Sequence, residues 1–102
     1  MASLYITEYS AASIISGKQL PVGIEPAVAV QKVSFTSTPG NSAALNALTR
    51  FVRLNADGIF SYKFSVAGTS AATTDPRVSL GVTEFFGVMP GTALIISAIT
   101  NT

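Results

Sequence analysis

Between Phe60 and Val66 the chain places Phe, Tyr, Phe and Val at successive even positions, with Ser61, Lys63 and Ser65 between them. Period-two alternation sets bulky apolar groups on one side of an extended backbone, whereas a helix would scatter them around its surface. Aromatic content adds to the strand signal. Weaker runs at 4–9, 28–36, 48–54, 78–82, 84–88 and 93–99 are mostly bounded by Gly, Pro, Asn or Asp. Seven short strands predict an all-β chain, a small antiparallel β-sandwich with a jelly-roll among the arrangements open to it. At 102 residues the chain forms a single domain, 1–102, with one core.

The candidate core is Val52, Leu54, Phe60, Tyr62 and Phe64. Asp57-Gly58 between two apolar runs is a turn signal, and a three-residue loop at 56–58 predicts a hairpin pairing Leu54 with Phe60, Val52 with Tyr62 and Arg50 with Phe64. That register keeps the apolar side chains on one face, with Gly58 in the left-handed region. Gly40 and Gly91 each follow a proline and read as turn residues free to take positive φ. Residues 10–27 read differently. Gly17, Pro21, Gly23 and Pro26 deny this segment a helix of any length or a regular ladder, so it is expected to be an extended arm or long loop.

The side chains from which active sites are built are scarce. The chain has no His, no Cys and no Trp. Metal binding through His or Cys is excluded, and the carboxylates Glu8, Glu25, Asp57, Asp75 and Glu84 do not fall at the spacing of a calcium loop. Serines are plentiful, but none lies in a Gly-x-Ser-x-Gly turn and no imidazole is present to activate one. Ser16 and Lys18 form the one formal nucleophile–base arrangement, and the chain reads as a non-enzyme that needs no cofactor.

Charge makes up 11% of residues, against roughly a quarter in typical soluble domains. The six cations, Lys18, Lys32, Arg50, Arg53, Lys63 and Arg77, are dispersed singly, so no phosphate-tracking stripe is present and nucleic acid is not an expected partner. No apolar run approaches the length of a membrane span, and the start of the chain has no basic leader, so synthesis in the cytoplasm is expected. A surface rich in Ser, Thr and Ala and poor in charge is suited to being covered by protein.

Aromatic residues supply the interface candidates. In a regular strand Phe85 and Phe86 point to opposite faces of a sheet, so one is available to anchor a partner, while a bulge would let both be buried. Tyr5 and Tyr9 share a strand face; they either pack within the fold or, with Tyr62, offer a stacking platform as in a carbohydrate-binding module. Ile14 and Ile15 in the arm complete the candidate interface. Glu84 is either solvent-facing or paired with Arg53 or Arg77.

The segments Leu4-Tyr5-Ile6-Thr7-Glu8-Tyr9, Glu25-Pro26 leading to Gln31, Phe51-Val52-Arg53-Leu54-Asn55-Ala56-Asp57-Gly58-Ile59-Phe60, Gly81-Val82-Thr83-Glu84-Phe85-Phe86-Gly87-Val88 and Ile99-Thr100-Asn101-Thr102 resemble small virion structural proteins of tailed bacteriophages. The resemblance implies a β-sandwich of the kind used by capsid cement, or decoration, proteins, located on the capsid exterior and binding across neighbouring copies of a major capsid protein. It also implies self-association as a homotrimer. A tail or head-to-tail connector component is the alternative within the virion.

Overall fold

The computed structural model describes the backbone of residues 2–10, 12–15, 18–23 and 27–101, and side chains within 2–10 and 27–101. Its strands are β1 (Ala2–Tyr9), β2 (Ala12–Ile15), β3 (Lys18–Gly23), β4 (Ala29–Phe35), β5 (Gly40–Asn41), β6 (Phe51–Ala56), β7 (Phe60–Ser65), β8 (Arg77–Val78), β9 (Glu84–Gly87) and β10 (Ile95–Thr100). Eight of them build two antiparallel four-stranded sheets, ordered β4-β1-β6-β9 and β5-β10-β7-β8. The chain is an all-β sandwich, as its alternation requires.

Neighbouring pairs nest along the chain: β7 with β8, β6 with β9, β5 with β10, then β4 with β1. This is the wound antiparallel ribbon of a jelly-roll, with β1 in the place of a strand following β10. Both ends of the described chain meet the 57–59 connection, since Asp57 N–H donates to the Ser3 carbonyl (3.3 Å) and Asn101 N–H to the Ile59 carbonyl (3.1 Å).

The interior follows from strand parity. On β1 the even residues Leu4, Ile6 and Glu8 are buried; they share the inner face of the sheet with Val33 and Phe35 of β4 and Val52, Leu54 and Ala56 of β6. From the second sheet come Phe60, Val78, Ile96 and Ala98, and the Phe35 and Phe60 rings meet at 5.8 Å. Each fully buried aliphatic or aromatic side chain contributes about 1.5–3 kcal/mol by leaving water.

The predicted core holds for Val52, Leu54 and Phe60, which are buried, while Tyr62 and Phe64 are only half-buried at its margin. The predicted hairpin does not form. β6 pairs with β1 and β9, β7 pairs with β10 and β8, and residues 57–59 carry the chain from one sheet to the other. Burial of Leu54 and Phe60 demands only that both point into one interior, and strands on facing sheets meet that demand as well as neighbours do. Gly58 is not among the positive-φ glycines, which are Gly68, Gly81 and Gly91. The expectation for Gly91 (φ 77°) therefore holds, whereas Gly40 lies in β5 for another reason: a Cβ there would run into the Ser34 carbonyl.

The segment following β1 is extended, but it is not an unpaired arm. β2 and β3 form a two-stranded antiparallel sheet, with Ile15 opposite Lys18, Ile14 opposite Gln19 and Ala12 opposite Gly23. Pro21 lacks an N–H, and the shift of register between Ile14 and Ala12 falls opposite the part of β3 that contains it. The proline is accommodated by an irregularity rather than by loss of the ladder. Strand boundaries also move, most at β6, which begins at Phe51 instead of residue 48, and β8, which ends at Val78 rather than running on to 82.

Candidate functional site

The two long sides of the sandwich differ. On one side β4 leads through 36–39 into β5, so the chain itself crosses from sheet to sheet, and the missing side chain of Gly40 lets the two strands approach closely. On the other side β9 is an edge strand, and among the described residues no strand lies beyond it. Opposite, β8 covers only Phe60 and Ser61 of β7; the Pro76 carbonyl accepts from Tyr62 N–H (3.1 Å), and the ladder does not continue to Phe64.

This open side holds a cleft of about 300 Å³ lined by Tyr62 and Phe64 of β7, Phe86 and Gly87 of β9, and Val88, Met89 and Leu94 of the following loop. Three rings form its floor: Tyr62 and Phe86 are 5.0 Å apart between centroids, Phe64 and Phe86 5.4 Å, and Tyr62 and Phe64 5.7 Å. Tilted and edge-on contacts of this kind add to burial because ring edges are positive and ring faces negative. Met89 at the rim is 71% exposed. Burial holds the Tyr62 hydroxyl above its ordinary 10.0, and the negative charge of Glu84 pushes in the same direction.

β9 is regular, so the Phe85-Phe86 doublet divides between the two faces as alternation predicts. Phe86 enters the cleft, and Phe85 stacks on Phe51 on the outside of the sheet (5.6 Å, 18° between planes). Glu84 shares the inward row with Phe86; among the described residues it makes no ion pair with Arg53 or Arg77, and Lys63–Asp75 (3.7 Å) is the ion pair formed.

Tyr5 and Tyr9 do share the outer face of β1, but Tyr5 is 41% exposed and Tyr9 only 4%. The chain leaves β1 at Tyr9 and returns as β3 against β6, closing over that end, while Tyr5 lies under the Lys32 ammonium at 5.7 Å. A row of exposed tyrosines is therefore not formed. The side chains of Ile14 and Ile15, on β2, lie outside the described residues.

Glu8 is the functional group that the strand pattern passed over. It is buried on the core face, where Oε1 accepts from Asn46 N–H (2.7 Å) and the Thr49 hydroxyl (2.8 Å), and Oε2 accepts from the Gln31 amide (3.0 Å). The Gln31 carbonyl oxygen in turn accepts from Ala43 N–H at 2.9 Å. A carboxylate with three donors fastens the 42–50 segment across the end of the sandwich, a structural task. Its position was legible, because the spacing Leu4-x-Ile6-x-Glu8 puts all three on one face. Among the described residues no three His, Cys, Asp or Glu side chains converge.

Compared with known proteins, the chain matches no family model, no curated protein and no solved structure.

Proposed function

We propose that this chain is a non-catalytic assembly protein, a capsid cement component on the exterior of a tailed-bacteriophage head that binds across neighbouring major capsid subunits. The observation that carries the assembly reading is the open aromatic cleft, an apolar surface beside an edge strand in a chain with little charge to oppose burial. Val30, Leu48, Val66 and Leu80 are also largely exposed, so apolar area is not confined to the cleft. The choice of a virion, and of its head, is supported by the sequence resemblance.

Copy number per purified particle tests the assignment. Quantitative mass spectrometry against the major capsid protein is expected to give copies on the order of hundreds, because shell positions are multiplied by icosahedral symmetry. Roughly a dozen copies or fewer would move the protein to the tail or connector. Absence from the particle would end the virion reading.

A further inference from the structure

The backbone along the open edge has a definite pattern. Val88 N–H donates to the Arg50 carbonyl at 3.0 Å, which fixes the even residues of β9 as those bonded to β6. By alternation, the N–H and C=O groups of Phe85 and Gly87 point away from the sheet. Edge strands in natural proteins are commonly blocked by proline, lysine or a bulge, and β9 has none of these.

We infer that β9 pairs antiparallel with β9 of a second copy about a two-fold axis through Phe86, joining the two four-stranded sheets into one of eight strands. In this register Phe85 lies opposite Gly87 of the other copy and exchanges two hydrogen bonds with it, and the symmetric pair supplies two more. It is the register that uses both outward-facing residues of β9 against each other. The side chains fit as well. Phe85 on the outer face meets a glycine, which leaves room for its ring, and the two Phe86 rings meet at the axis to continue the aromatic floor of the cleft.

Charge selects the same partner. Glu84, the one charged residue of β9, stands opposite Val88 of the other copy, and Arg50, which immediately precedes β6 and accepts from Val88 N–H, is the next residue along from that valine. An inward charge on an edge strand ordinarily discourages pairing. In this register each Glu84 instead faces the other copy's Arg50 across one valine, twice per dimer, with the two glutamates apart. The inference does not depend on the virion reading. Being two-fold, it is also a different assembly from the trimer implied by the resemblance.

Sedimentation equilibrium of the full chain across micromolar concentrations tests it. The expected species is a dimer. Gly87→Pro removes an outward N–H without touching the ladder to β6 and is expected to weaken association roughly tenfold or more. Glu84→Arg and Arg50→Glu are each expected to weaken it by placing like charges together, and the double swap is expected to restore it. Circular dichroism checks that each variant is folded, and the charge swaps decide the matter if the proline variant is not. A monomer at about 100 μM, a trimer, or a dimer indifferent to all of these substitutions would overturn the proposal, with or without the protein on a capsid.

Discussion

The two long sides of this sandwich solve the same problem with different chemistry. Where β4 crosses into β5, the chain closes its own sheet edges through backbone proximity at Gly40, with Phe35 sealed beneath and Gln31 tied to Ala43 and Glu8. Where β9 faces β7, no crossing strand exists among the described residues, and the gap is floored by Tyr62, Phe64 and Phe86. Hydrogen bonds and a covalent connection finish the first side from within. Aromatic rings leave the second half-finished, with apolar area that returns its free energy only when something covers it. The side that closes itself serves stability, and the side that does not is free to serve assembly.

The sharpest way to break this contrast is to truncate one phenylalanine on each side. Phe35→Ala is expected to cost about 3–5 kcal/mol in urea unfolding, and Phe64→Ala about 2, because Phe64 packs at the margin of the core and keeps part of its surface in water. Equal losses would mean that the open side is as much a part of the core as the closed one.

The polar fastening of the closed side comes next. Glu8→Ala leaves Asn46 N–H, the Thr49 hydroxyl and the Gln31 amide without their acceptor and is expected to cost about 3 kcal/mol. Amide hydrogen exchange should accelerate first in 42–50. Uniform acceleration over the whole chain would show that Glu8 supports the entire fold rather than that segment.

On the open side, Tyr62 reports on the cleft through its titration. Its folded value is raised, so the stability contributed by the neutral hydroxyl is intact below the unfolded value of 10.0 and is lost as pH climbs through the higher folded value. Ultraviolet titration of the protein against a Tyr62→Phe variant should show that the Tyr62 hydroxyl ionises above 10.0. Glu84→Gln should bring it part of the way back, since burial is the larger cause and charge the smaller. Full return to 10.0 would make the cleft far wetter than its rings imply.

The smallest effect belongs to the loop that carries Met89 and Leu94. Ala93 has φ of 53°, a left-handed conformation that a side chain tolerates poorly. Ala93→Gly is expected to stabilise the chain by about 0.5 kcal/mol, the relief of strain being partly offset by a freer unfolded chain. A destabilised variant would show that the Ala93 methyl group packs favourably enough to outweigh the strain.

Local chemistry in the sequence marked the longer strands of the two sheets and which face of each is buried, but not β2, β3 or β5. Alternation placed Phe60 and Leu54 inside, divided Phe85 from Phe86, and set Glu8 in the same row as Leu4 and Ile6, because side-chain direction in a strand depends only on parity. Gly91 was also readable, since Pro-Gly carries its own turn geometry. Parity is silent on which strands are neighbours. An apolar residue is equally satisfied across a ladder or across the interior, and so Asp57-Gly58, a hairpin by local signal, became a link between sheets. Gly40 could not be understood until β4 lay beside it, and Pro21 could not forbid a ladder that bulges around it. The cleft likewise exists only in three dimensions. Phe86 is far along the chain from Tyr62 and Phe64, which are neighbours on one face of β7, and it is the long-range arrangement of strands that brings the three rings to one open edge.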